Sequence, residues 1–144
     1  MKKIKAYGIC LYKKQNKNTE ILLCKSILSK EKWGFIKGVA LETETKEQTA
    51  IREFYEESSI KVKQSYLEEY FLQENEQKDI GIFLVNIKNI KNVDTLFDNN
   101  ILKEKYLDKE NSQIKFFDIK KEILIKNKQT QIYKKIISFL EHKS

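Results

Sequence analysis

The chain holds no proline, four glycines, one histidine and two cysteines in 144 residues. Each scarcity excludes something. There is no Pro/Gly/Ser-rich linker and no internal repeat. No domain boundary is therefore expected, and residues 1–144 read as a single domain of ordinary size. The lone histidine, His142, lies among charged residues near the C-terminal end and reads as a surface residue. Histidine-based catalysis and multi-histidine metal sites are excluded. Cys10 and Cys24 both fall inside apolar, strand-like runs. They are read as two buried thiols in a reducing compartment, not as a disulfide or redox pair. Long apolar runs are missing too. None approaches the roughly 20 residues that a membrane helix needs. The opening Met-Lys-Lys-Ile-Lys-Ala-Tyr lacks the apolar core of a signal segment. A cytoplasmic location with no membrane partner is expected.

What is present is enough for one core. Hydrophobic residues make up 40% of the chain, including eight Phe, seven Tyr and one Trp. The 28 Lys and Arg outnumber the 21 Asp and Glu, for a net charge of +7. That balance suits polyphosphate or nucleic-acid partners. The lysines are spread along the whole chain, so a Lys-rich composition accounts for them equally well.

The most informative stretch runs from Gly38 to Ile60. Thr45-Lys-Glu-Gln48 has the form of a capping box, in which Thr caps the helix and Gln reaches back. Ala50, Ile51 and Phe54 follow at helical spacing, which predicts a helix over 45–58. On it Glu53, Glu56 and Glu57 stand at i, i+3 and i+4 and share one side. Arg52 is four residues before Glu56, within pairing reach. Like charges at this spacing repel by a few tenths of a kcal/mol per pair. A solvated acidic helix face is one reading. The other is a site for a divalent cation, and oxygen ligands favour a hard ion, Mg²⁺ or Mn²⁺. Such ions bridge phosphate oxygens and activate water.

The spacing continues beyond the helix. It resembles the signature of the Nudix hydrolase family, G-x5-E-x7-R-E-U-x-E-E-x-G-U, with U aliphatic or aromatic. The matches are Gly38, Glu44, Arg52, Glu53, Phe54, Glu56, Glu57 and Ile60. Ser59 stands where the family has Gly. That position ends the helix, where glycine serves because φ > 0 costs it nothing. Serine there would cost about 1 kcal/mol.

The resemblance implies hydrolysis of a nucleoside diphosphate linked to another group, with a divalent metal. It assigns Glu53, Glu56, Glu57 and the Gly38 carbonyl to the metal. Arg52 and Glu44 would orient the acidic cluster. It also implies the fold: a Nudix-type α/β/α sandwich with a mixed β-sheet between helices.

Elsewhere, residues 3–12 and 20–26 read as a strand pair joined by a polar turn at 13–19. Trp33-Gly-Phe35-Ile-Lys37-Gly38 resembles the W-x-x-P-K-G of Nudix enzymes acting on dinucleoside polyphosphates and RNA 5′ ends, with Ile36 in place of proline. Lys37 and Lys25 are candidates to neutralise phosphate. Trp33 and Phe35 would either stack on a base or pack. Residues 60–73 read as strand, and Ile80–Ile87 as the most apolar, central strand. Phe83 there, or Tyr70 or Tyr66 next to it, is a candidate base-stacking residue. Residues 88–109 read as a long polar loop. Glu110, followed by an aromatic-led strand with Phe116, resembles an additional carboxylate of the dinucleoside polyphosphate branch, a ligand or general base. Otherwise Glu110 is a surface glutamate in a loop. Ile132, Tyr133, Ile136, Ile137, Phe139 and Leu140 mark an amphipathic helix over 129–142.

The expected substrate is a dinucleoside polyphosphate such as diadenosine tetraphosphate. An RNA 5′ end and damaged nucleoside triphosphates are the alternatives. A non-catalytic nucleotide-sensing protein is the alternative of another class. Oligomeric state is not encoded in any of these signals.

Overall fold

The computed structural model describes residues 3–29 and 31–143. Met1, Lys2, Lys30 and Ser144 lie outside the described residues, so the extreme ends of the expected 1–144 domain and one position of the segment before Trp33 are not covered. The first hairpin pairs β1 (Ile4–Gln15) with β2 (Asn18–Ser26). Its turn is tighter than the predicted 13–19, because Lys13 pairs with Glu20 and Lys14 with Thr19 across the strands. Asn16 makes the reversal at φ 55°, in the left-handed region that asparagine tolerates. Next come β3 (Ile36–Val39) and α1 (Lys46–Ser58). They are followed by β4 (Tyr70–Glu74), β5 (Lys78–Asn86), β6 (Phe97–Asp98), β7 (Ile101–Leu102), β8 (Asn111–Asp118) and α2 (Thr130–His142).

The sheet runs β4-β5-β1-β2-β8-β7-β6, with β3 also on β1. β1 and β5 are parallel and the other pairings antiparallel, so the sheet is mixed. β1 has the most partners, pairing with β2, β3 and β5. β5, the strand expected at the centre, is interior but lies one place from the edge.

Both faces of the sheet are covered. Ile9, Leu11, Leu22, Phe83 and Val85 pack with Ala50 and Phe54 of α1. Cys10, Tyr12, Ile21, Leu23, Ile82 and Leu84 pack with Ile132, Ile136 and Leu140 of α2. That is why β1, β2 and β5 read as continuous apolar runs and not as alternating ones. The two thiols are both buried and belong to opposite faces.

Two predicted elements differ. Residues 60–69 are not strand: they pass through a 3₁₀ turn at Gln64–Tyr66, Glu68 and Glu69 bond irregularly to the Leu84 backbone, and the regular ladder begins at Tyr70. Of residues 61–65 only Val62 is buried, so the segment has one apolar anchor and no face to lay on a core. The predicted loop 88–109 contains the small β6–β7 hairpin. Asn99 and Asn100 form its two-residue turn at φ 50° and 68°, the positive-φ pair that a type I′ turn requires.

Candidate active site

The site begins with the start of α1. The Thr45 hydroxyl accepts from Gln48 N–H at 3.1 Å, and Gln48 Oε1 accepts from Thr45 N–H at 2.9 Å. This capping box fixes where the helix starts, and hence the angular position of every later residue. Phe54 and Ala50 turn to the core, which leaves Glu53, Glu56 and Glu57 on the flank beside β3. The helix ends on Ser59 at φ 65°, ψ 13°. Serine thus holds the left-handed conformation expected at the glycine position.

Gly38 lies where β3 passes α1. A Cβ there would fall 1.9 Å from the carboxyl carbon of Glu53. Only glycine lets that carboxylate rest against the strand.

Arg52 organises the acids. Its Nε donates to Glu44 Oε2 at 2.6 Å and its Nη2 to Glu44 Oε1 at 2.9 Å, a two-pronged pair. Its Nη1 donates to both Glu53 and Glu56 at 3.0 Å. Glu44 is itself held by Thr49 Oγ1 at 2.9 Å and Leu41 N–H at 3.2 Å. Hydrogen bonding from Arg52 pulls the Glu44 carboxyl down to about 2.

Glu57 faces inward and is buried. Its Oε1 accepts from Asn111 Nδ2 at 2.9 Å, at the first residue of β8. Burial pushes its pKa up to about 7, against the hydrogen bond from Asn111. Burial raises Glu53 as well, and Arg52 opposes it. Lys37 is pushed down to about 8, first by burial and then by the nearby Lys78.

These groups line one cavity of about 750 Å³: Glu53, Glu56, Glu57 and Glu110 with Lys37, Gly38 and Val39. Lys78 and Asp108 complete the lining. Sequence reasoning missed Lys78, Asp108 and Asn111. Asp108 stands two residues before Glu110, a spacing that could have signalled it. Lys78 and Asn111 reach the site through strand pairing alone.

The aromatic candidates lie elsewhere. Trp33 is 8% exposed and meets Phe117 edge-on at 4.6 Å, on the α2 side of the sheet. Phe35 is 2% exposed in the same cluster. Phe83 is 4% exposed under α1. All three are packing residues, so the base-stacking reading of Trp33, Phe35 and Phe83 gives way to the core reading. Tyr70 is half-buried between Phe83 at 4.7 Å and the Lys46 ammonium at 4.3 Å, and does not line the cavity. Tyr66 is likewise half-buried, beside a different groove. Lys25 is not at the phosphate position expected of it. Strand alternation sends Cys24 to the α1 face and Lys25 to the other, where its ammonium lies 5.1 Å from the Trp33 ring.

The donor set is all oxygen, the type that holds a hard divalent ion. The glycine cradle keeps the Glu53 carboxylate against the β3 backbone, and an anion as buried as Glu57 calls for a cation. Among the described residues no three acidic, histidine or cysteine side chains already converge on one point, while Arg52 holds Glu53 and Glu56. The residues fit such an ion once these two carboxylates turn from the guanidinium.

The family described as NUDIX domain matches residues 2–138. No curated protein matches the chain by sequence. Among solved structures, the chain is similar to an Ap4A hydrolase of C. elegans in a binary complex, at 22% identity and a TM-score of 0.65, over 95% of this chain and 97% of that one. It is similar to the NUDIX domain of Shewanella oneidensis NrtR complexed with ADP ribose, at 13% identity and a TM-score of 0.68, over 97% and 90%. A mutT/nudix family protein from Listeria innocua aligns at 18% identity and a TM-score of 0.63, over 95% and 93%. At these identities the likeness to solved structures is one of fold. The chain belongs to the Nudix family. A Nudix domain implies a pyrophosphohydrolase, and hydrolases of this family generally need a divalent metal, usually Mg²⁺. No helix among the described residues is long and apolar enough to cross a membrane.

Proposed function

We propose that the protein hydrolyses a pyrophosphate linkage in a dinucleoside polyphosphate, of which diadenosine tetraphosphate is the model compound, using Mg²⁺ or Mn²⁺. One observation carries the reading: four glutamates and two lysines line a single 750 Å³ cavity, where one arginine holds Glu53 and Glu56 together. Glu53, Glu56, Glu57 and the Gly38 carbonyl would hold the metal, with Glu110 beside them. When bound, the ion draws charge from phosphate oxygens and acidifies neighbouring water.

The rest follows from this chain's own side chains. Lys37 and Lys78 line the same wall and neutralise the phosphates that enter. An anion at this wall opposes the effect of burial on Lys37 and favours its charged form. Glu110 is proposed as the acceptor of the water's proton. Asp108, two residues away, raises the negative charge around it. Arg52 touches no substrate: its bonds to Glu44 set the direction of its third nitrogen, and so of Glu53 and Glu56. A domain over residues 1–144 supplies all of these groups from one chain. Tyr70, half-buried under the Lys46 ammonium and outside the cavity lining, is proposed to face a base once Lys46 swings aside.

A second reading, an RNA 5′ end as substrate, is favoured by a lysine- and tyrosine-lined groove on the other flank of α1.

The test is a phosphate-release screen with Mg²⁺ and with Mn²⁺, over dinucleoside polyphosphates, nucleoside triphosphates, ADP-ribose and 5′-triphosphorylated RNA. Glu57→Gln runs in parallel and is expected to lose at least a hundredfold in rate, since it removes the charge of a proposed metal ligand. Survival of activity within a few-fold would overturn the assignment of Glu57. Silence on every substrate, from folded protein that still binds nucleotide, would support a sensing protein instead.

A further inference from the structure

Beside the C-terminal end of α1, on the flank away from the carboxylates, lies a groove of about 550 Å³ that the chemistry above does not use. Its floor is apolar, with Ile60 and Val93 buried. Its rim carries Lys61, Lys63 and Lys91, all exposed, and no acidic side chain lines it. Among the described residues none of these three lysines is in an ion pair. Two lie near aromatic rings instead. The Lys61 ammonium is 5.7 Å from the Tyr55 ring centroid, and that of Lys63 is 5.9 Å from Tyr66. Tyr55 is 45% exposed, although burying a ring of that size is favourable.

The groove therefore presents planar faces and unpaired cations side by side, twice over. A single nucleotide would use one tyrosine–lysine pair. The repeat suits a strand, whose successive bases stack on rings while its phosphates meet ammonium groups. Position ties the groove to the catalytic cavity. Tyr55 is the residue before Glu56, about 100° around the helix. Glu53 and Glu57 stand about 160° from Tyr55, so the two surfaces are separated by about 8–12 Å across a helix with its side chains, a distance that a few nucleotides span.

We infer that this groove binds the nucleotides behind the 5′ end of a single-stranded RNA whose 5′ polyphosphate occupies the cavity lined by Glu53, Glu56 and Glu57. The inference rests on the RNA reading above for its link to catalysis, but the groove itself can be tested without any reaction.

The probe is a short fluorescent RNA with a 5′-hydroxyl, followed by anisotropy. Three lysine–phosphate contacts predict that log affinity falls against log salt concentration with a slope of about −2. The double charge reversal Lys61→Glu/Lys91→Glu should weaken binding at least tenfold. Tyr55→Ala should weaken it about tenfold. With 5′-triphosphorylated RNA as substrate, both variants should raise KM and leave kcat alone. Their turnover of diadenosine tetraphosphate should stay at the wild-type level. RNA binding unchanged in both variants overturns the inference. So does equal binding of a polyglutamate peptide combined with no loss in Tyr55→Ala, which would reveal a mere polyanion surface. RNA binding that is lost in the variants, by a protein that hydrolyses no pyrophosphate, would uphold the groove and overturn the hydrolytic reading.

Discussion

At the scale of the residue, the site depends on side chains that hold other side chains. Arg52 engages three glutamates, Glu44 through Nε and Nη2 and both Glu53 and Glu56 through Nη1, and lysine, a single point charge, could not do the same. Asn111 does for Glu57 what Arg52 does for Glu53 and Glu56. It is buried, its amide nitrogen is 2.9 Å from the Glu57 carboxylate, and it adjoins Glu110 in the chain. Asn111→Ala would leave a buried carboxylate without its donor and free to change rotamer. Outer partners of this kind are worth about 10–100-fold in metal affinity. The expected outcome is an Mn²⁺ affinity at least tenfold weaker by calorimetric titration. Wild-type affinity in Asn111→Ala would mean that packing alone directs Glu57. The acids of α1 were legible in the sequence because they are contiguous and the helix fixes their relative angles. Asn111 and Lys78 were not, because strands distant in sequence bring them in. Trp33 and Phe35 were left open between stacking and packing, and Lys25 was assigned to phosphate, for a related reason: both faces of the sheet are apolar, so periodicity did not say which face is which.

At the scale of the element, α1 could be read from end to end. Its start is set by the Thr45–Gln48 box and its stop by Ser59. The stop carries strain, because serine at φ 65° brings its Cβ toward the carbonyl oxygen, at about 1 kcal/mol. Ser59→Gly removes that contact and gives back part of the gain as extra freedom in the unfolded chain. A net stabilisation of about 0.5 kcal/mol is expected, or roughly 1–2 °C in thermal unfolding for a chain of this length, with turnover unchanged. A lower Tm would mean that the serine hydroxyl makes a compensating bond. The segment after α1 was harder to read. Lys61-Val62-Lys63 alternates as a strand does, yet one buried valine does not make a face. The chain pairs with β5 only from Glu68 onward, and Lys61 and Lys63 remain on the rim of the groove.

At the scale of the whole molecule, the carboxylate cluster is a liability carried by a well-covered sheet. The centre is sound: β1 lies between β5 and β2 with α1 and α2 on its two faces. Against that, Glu57 is buried beside other acids, and like charges held together lower the stability of the metal-free protein. Stability and metal binding are therefore coupled in opposite directions at this one position. Glu57→Gln removes a buried charge while keeping the shape and a partner for Asn111. Metal-free Glu57→Gln should unfold at a higher temperature than the metal-free wild type. Adding Mn²⁺ should then reverse the order. A ligand at a hundred times its dissociation constant contributes about 2.7 kcal/mol, which raises the wild-type Tm by roughly 5–10 °C. The variant, lacking a proposed ligand, should gain little. Thermal unfolding of both proteins with chelator and with Mn²⁺ reads all four values. Parallel shifts in the two proteins would place the ion away from Glu57, and a metal-free variant less stable than the wild type would mean that the Glu57–Asn111 hydrogen bond outweighs the burial of the charge.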